Sequence, residues 1–247
     1  MRIIISPAKA MVSVRDKFRW QELPEFYDKS LQILEKLKSM DYDALKNLWK
    51  SNDEIAKLNI QRLTRMELDK ELSPAILSYD GIQYHNIDPQ SLDEDSLSYL
   101  QENLRILSGF YGVLRPFDGI RPYRLEMQAK LQIGTAKDLY SFWGCELAES
   151  VFRETDCIIN LASKEYSRCI SKYLPEHIRF VTCLFGEEKD GKLIEKGTMC
   201  KIARGEMVRW LAQNKVTEAE KLSGFEGKYH RYSPEYSDEK TIAFIKK

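Results

Sequence analysis

The 247-residue sequence predicts a mixed α/β (α+β) fold. Three observations point there: short β-branched runs such as RIIIS and DCIINLAS that stop at polar residues, helical spacing of leucines between them, and a loose alternation of the two kinds of segment. No internal repeat, low-complexity tract or linker rich in proline, glycine and serine divides the chain, so residues 1–247 are expected to form one unit.

RIIIS reads as a buried strand ended by Ser6 and Pro7, with Ser6 and Lys9 in the following loop. Phe26, Leu31, Leu34 and Leu37 give a helix over residues 25–37, and Tyr42, Leu45, Leu48 and Trp49 a second. A third starts at Asp53 as N-cap and runs through Leu63. AILSYDGIQY reads as a strand broken at Asp80-Gly81 and resumed as a second strand. Leu97, Leu100, Leu104 and Leu107 extend a helix over residues 91–107, and residues 138–152 form an aromatic-rich helix. DCIINLAS is a buried strand, residues 178–197 a hairpin turning at Asp190-Gly191, residues 199–213 a helix and KTIAFIKK a last strand.

Composition narrows the function classes. Charged residues make up 31% and hydrophobic residues 43%, with no run of about 18 apolar residues, so no membrane span is expected. The opening MRIIISPAKAM has too brief an apolar stretch for a secretory signal, and a cytoplasmic location is expected. Cys145, Cys157, Cys169, Cys183 and Cys200 lie far apart, without a CxxC pair, which fits reduced thiols. His85, His177 and His230 show no metal-ligand spacing, and neither a metal nor a cofactor is called for.

Basic and acidic residues balance at 38 each, but not locally. The segment LSGFYGVLRPFDGIRPYRLEM places Arg115, Arg121 and Arg124 among glycines and prolines, opposed nearby by Asp118 and Glu126. Either they tie the loop to the body, or their planar guanidinium forks hold phosphate, of a polynucleotide backbone or of a small molecule. MCKIARGEMVRWL sets Lys201, Arg204 and, less closely aligned, Arg209 around one side of a helix, with Gly205 where a close backbone approach is expected. If the two segments meet, they form a basic surface on a neutral protein.

Polar residues recur at strand ends: SPAK with Ser6 and Lys9, and NLASKEYS with Asn160, Ser163 and Glu165. Ser163 would cap a helix, and a helix N-terminus is itself an anion site. Strand ends of this kind converge on the ligand crevice of α/β sheets. No GxSxG, P-loop, GxGxxG or HExxH pattern occurs.

The blocks SPAK, LSGFYGVLRPFDGIRPYRLEM, KDLYSFWG, NLASKEY, KIARG and LSGFEGKY, in this order, make the chain resemble the YaaA family of bacterial peroxide-stress proteins over essentially its whole length. The resemblance implies a single α/β unit of unusual topology with a positively charged cleft, binding DNA without strong sequence preference, in a cytoplasmic protein that keeps free iron low under peroxide. Arg115, Arg121, Arg124, Lys201, Arg204 and, by position, Arg209 are the expected phosphate contacts. Ser6, Lys9, Glu126, Asn160, Ser163 and Glu165 form a candidate pocket whose chemistry the resemblance leaves open. The family's helix-hairpin-helix element corresponds to residues 53–63, where Leu58 replaces its glycine and Asn59 is left to make the turn. The alternative to DNA binding is an enzyme acting on a nucleotide or another small phosphate-bearing molecule in the same pocket, with Arg124 and Lys9 on the anion and Glu126 or Glu165 moving a proton.

Overall fold

Hydrophobic runs too short for helices assemble here into one mostly parallel sheet. The computed structural model describes residues 1–14 and 18–247. Eight strands make up the sheet: β1 (Arg2–Ile5), β2 (Leu104–Ser108), β3 (Gly112–Leu114), β4 (Cys157–Leu161), β5 (Arg179–Lys189), β6 (Lys192–Ile194), β7 (His230–Ser233) and β8 (Thr241–Lys246). Their order is β7-β8-β5-β4-β1-β2-β3, with β6 folded back onto β5. Strands β8, β5, β4, β1 and β2 run parallel, and β3, β6 and β7 are antiparallel to their neighbours. Ile3, Ile4, Ile5, Ile158, Ile159 and Ile106 are fully buried, as expected when helices cover both faces of a parallel sheet.

The helices fill the crossovers. Between β1 and β2 lie α1 (Tyr27–Lys38), α2 (Tyr42–Trp49), α3 (Asp53–Thr64), α4 (Ala75–Ser78), α5 (Ile82–Ile87) and α6 (Glu94–Asn103). Helices α7 (Leu139–Trp143) and α8 (Glu146–Phe152) precede β4, α9 (Lys164–Ser171) follows it, and α10 (Gly197–Gln213) follows β6. From β1 the chain crosses to β2 on one side, then returns to β4 on the other. That reversal opens a crevice at the carboxyl ends of β1 and β4, where α/β sheets bind ligands.

Several sequence expectations need correction. AILSYDGIQY is not a strand pair: α4 leads into a two-residue ladder, Tyr79–Asp80 against Ala10–Met11, and Gly81 then begins α5. The helix expected over residues 91–107 ends at Asn103, and Leu104 opens β2. Gly144 divides the helix expected at residues 138–152 into α7 and α8. Asn52, not Asp53, caps α3 through its side chain. No turn forms at Asn59: it lies inside α3, buried, with Nδ2 donating to the Ile55 carbonyl at 2.8 Å. The helical hairpin of α2 and α3 turns instead at Lys50, whose φ is 46°. The Asp190-Gly191 hairpin forms as expected, both residues having positive φ.

Gly205 on α10 is a contact point. A Cβ there would lie 2.3 Å from the Gln83 carbonyl oxygen and 2.7 Å from the Asn86 Cβ, so only glycine lets α10 lie directly on α5. This packing brings the basic face of α10 to the mouth of the crevice.

Candidate functional site

At the crevice, the first loop and the β4–α9 corner are joined by hydroxyls. The Ser163 N–H donates to Ser6 Oγ at 2.8 Å, and Ser6 Oγ donates to Ser163 Oγ at 3.2 Å. Ser163 is the N-cap of α9 by position, but its hydroxyl is occupied with Ser6 and makes no cap hydrogen bond. The Tyr84 hydroxyl, from α5, donates to the Ser6 carbonyl at 2.9 Å. β1, α5 and α9 therefore meet around one residue.

The arginine-rich segment reaches the same place by folding back. At Gly109, just after β2, a Cβ would lie 3.0 Å from the Leu125 carbonyl oxygen, so the stretch from Leu125 to Met127 runs tight against the strand end. Arg124 and Glu126 are thereby carried to the crevice, with Arg124 Nη2 3.6 Å from Glu126 Oε1. Lys9 Nζ lies 2.9 Å from Glu126 Oε2, placing that carboxylate between two cations. The Gln128 N–H donates to Glu165 Oε1 at 3.1 Å. Burial and the neighbouring charge of Glu126 raise the pKa of Glu165, against the lowering effects of the Gln128 N–H and Lys9.

These groups enclose a cavity of about 500 Å³, within the range of small-molecule sites. Its far wall is α5 and α10, contributing Gln83, Tyr84, Lys201 and Arg204. Tyr123 and Tyr166 add aromatic surface, and burial pushes the Tyr123 hydroxyl up to about 12 despite hydrogen bonds to Ser108 and Tyr79. Four cations (Lys9, Arg124, Lys201, Arg204) face three carboxylates (Asp80, Glu126, Glu165) around it. Gln83 Nε2, Arg124 Nε and Arg204 Nε are buried donors without a hydrogen-bond partner among the described residues, and all three belong to the lining. Buried donors are ordinarily satisfied, and these three are not.

Ser6, Lys9, Arg124, Glu126, Ser163, Glu165, Lys201 and Arg204 thus come together, whereas four other expected residues do not. Asn160 is buried beneath the corner, its amide oxygen accepting from the Ala162 N–H at 3.0 Å and its Nδ2 facing Thr182 Oγ1 at 3.3 Å. Arg115 follows antiparallel β3 and is carried to the amino ends of the parallel strands, 3.5 Å from Glu154 and 3.6 Å from Glu22. Arg121 donates to the Glu71 carbonyl at 3.0 Å and pairs with its carboxylate at 2.6 Å. Arg209 donates to the Ile87 and Asp88 carbonyls at the end of α5 and to Ser91 Oγ. All three arginines tie segments of the body together. Gln83, Tyr84 and Tyr123 line the cavity without having been singled out in the sequence; the turn signal at Asp80-Gly81 marks the position of the first two, and the RPYRLEM block that of Tyr123, but not their roles.

The turn after β3 gives a pH prediction. Asp118 is 4% exposed and accepts the Arg115 N–H at 2.8 Å. Burial raises its pKa to about 7, against the Arg115 N–H, the charges of Arg115 and Arg105, and with a small push from Glu22. Because the folded value lies above the ordinary 3.8, the folded state holds the proton more tightly, and stability falls as pH rises between the two values. Asparagine can accept the same N–H without ionising. Asp118→Asn is therefore expected to gain on the parent by on the order of 2 kcal/mol between about pH 5 and about pH 8 in urea denaturation; a constant difference would contradict this.

Among the described residues no helix is long and apolar enough to cross a membrane, and no group of three or more His, Cys, Asp or Glu is arranged to hold a metal ion. Comparison with known proteins finds a family model described as "Peroxide stress protein YaaA" that matches residues 1–236. A "UPF0246 protein" of Lachnoclostridium phytofermentans is 49% identical over 246 residues, covering 100% of this chain and 96% of that protein. One of Ligilactobacillus salivarius is 46% identical, covering 100% of both chains. One of Pediococcus pentosaceus is 45% identical, covering 100% of this chain and 98% of that protein.

Proposed function

The chain belongs to the peroxide stress protein YaaA family, and from that premise we propose that its working site is the cavity at the carboxyl ends of β1 and β4, which takes a small phosphate-bearing molecule such as a nucleotide. The single observation that carries this reading is the convergence of Lys9, Arg124, Lys201 and Arg204 on one cavity of about 500 Å³. An anion suits such a set of cations, and arginine's fork matches phosphate oxygens. A cavity of this size admits a small molecule and not a duplex.

The same geometry provides for proton transfer. Glu165, whose burial and whose neighbour Glu126 favour its protonated form, is the candidate proton carrier, while Glu126 sits between Lys9 and Arg124. Two carboxyl groups in different environments are the usual basis for separate acid and base roles. In this reading the protein is an enzyme acting on its phosphate-bearing ligand, with Glu165 handling the proton and Ser6 and Ser163 fixing the corner.

A second reading, sequence-nonspecific binding of a DNA backbone with lower free iron and protected DNA as its physiological result, is favoured by one observation. Lys9 and Lys201, at the mouth, are exposed, and Lys201 has no ion-pair partner among the described residues. The readings separate in titrations of a fluorescent mononucleotide. We expect saturable binding that replacing Arg124 and Arg204 together by alanine weakens by about 10–100-fold, the scale of one lost charge-assisted bidentate contact. Absence of mononucleotide binding by the folded parent would overturn the small-molecule reading.

A further inference from the structure

The lining divides into two walls of different chemistry. One is made by α5 and α10, whose backbones touch at Gly205 and Gln83, so Gln83, Lys201 and Arg204 are neighbours. It carries two unpartnered donors, Gln83 Nε2 and Arg204 Nε, and an exposed lysine without an ion pair among the described residues. Arg204 has one carboxylate partner, Glu195, 3.2 Å from its Nη2, which fixes the guanidinium from outside the cavity lining. Asp80 is the acidic residue that α5 and its preceding turn add on this side. The other wall holds Glu126 and Glu165 with Lys9, Arg124 and the two serines; both its cations flank Glu126, although Arg124 Nε is itself without a partner among the described residues.

Phosphate is repelled by carboxylates and attracted by free donors. Resting on the small-molecule reading above, we propose that the ligand is a phosphate monoester with an aromatic body, its phosphate held by Gln83, Lys201 and Arg204 on the α5–α10 wall. Its body lies along Tyr84 and Tyr123, and its reacting end faces Glu126 and Glu165. Gln83 is the residue that makes this wall selective. It is 7% exposed, its amide nitrogen has no acceptor among the described residues, and it holds its place through the backbone contact with Gly205. A nucleoside monophosphate combines the three required features: two negative charges at one end, a flat ring and a polar edge.

The test is isothermal titration of the parent and folded variants with adenosine monophosphate, adenosine, ribose 5-phosphate and inorganic phosphate, with melting temperatures as a check on folding. Expected are binding of the monophosphate, loss of about 100-fold or more for adenosine, and weaker binding of ribose 5-phosphate, since stacking and charge both contribute. Gln83→Glu, which places a carboxylate where the amide stood, and Lys201→Ala should each weaken the monophosphate by about tenfold or more. Unchanged affinity in Gln83→Glu and Lys201→Ala together with loss in Arg124→Ala would place the phosphate on the other wall. That result overturns this assignment and leaves the small-molecule reading standing. Equal affinity for ribose 5-phosphate would remove the aromatic body from the proposal. Failure of every phosphate compound to bind the parent would overturn both readings.

Discussion

Replacing Glu154 by alanine is expected to cost about 3–5 kcal/mol of folding stability, the usual result of removing one partner from a buried ion pair. Glu154 lies at the amino ends of the central strands, opposite the cavity, where Arg2 opens β1 and Arg105 stands near the start of β2. Its Oε2 accepts from Arg2 Nε at 3.0 Å and from Arg105 Nε at 2.8 Å, and its Oε1 lies 3.5 Å from Arg115. The Arg105 side chain is only 4% exposed, so without Glu154 its charge would be left buried with carbonyl partners alone. Burial by itself would raise the Glu154 pKa, but the hydrogen bonds and charges of Arg105 and Arg2 outweigh it and hold the carboxyl below its ordinary value. This contribution is present above the ordinary glutamate range and is lost as pH falls through the lower folded value. Urea denaturation at neutral pH measures the loss, and Glu154→Gln, which keeps an acceptor, should cost less. A loss under about 1 kcal/mol for Glu154→Ala would show that the cluster is not a keystone of the sheet.

Gly205→Ala is expected to damage stability and ligand binding together. Alanine favours a helix interior over glycine by about 1 kcal/mol, so an unconstrained site would be stabilised. Here the added Cβ would fall 2.3 Å from the Gln83 carbonyl oxygen, a backbone atom that can move only with all of α5. Overpacking of this kind costs about 1–3 kcal/mol, which leaves a net loss once the propensity gain is set against it. Separation of α5 from α10 also moves Gln83 and Tyr84 relative to Lys201 and Arg204, so affinity for a phosphate-bearing ligand should fall in the protein that remains folded. A stabilised Gly205→Ala variant with unchanged binding would contradict the packing account.

What the sequence revealed follows from where its signals were local. RIIIS and DCIINLAS were legible because parallel strands buried on both faces must be continuous apolar runs, and their polar ends marked the crevice before its partner strands were known. Gly205 was legible because glycine in a helix interior calls for a close neighbour, although Gln83 could not be named as that neighbour. The α6–β2 boundary was not legible: Leu97, Leu100, Leu104 and Leu107 keep helical spacing across it, and only pairing with β1 turns Leu104 into a strand residue. Asp80-Gly81 carried a hairpin signal, yet Tyr79–Asp80 found its partner in the distant Ala10–Met11. The arginines show the same limit. Arg115, Arg121 and Arg124 are close in sequence, but β3 takes the first away from the crevice, Glu71 holds the second, and the fold at Gly109 delivers the third. Sequence proximity grouped side chains that the antiparallel turn then separated.

On the proposed reading, this peroxide-stress family member keeps its cation-lined cavity for a small phosphate-bearing molecule. The most direct measurement is a titration of the protein with a labelled mononucleotide, repeated across a salt series and in competition with a DNA duplex. The account predicts saturable mononucleotide binding with a shallow salt dependence, and poor displacement by the duplex. Tight duplex binding whose affinity falls by about 0.9 log units per neutralised phosphate for each tenfold rise in salt, with no competition from the mononucleotide, would contradict it and give the basic mouth to a polynucleotide backbone.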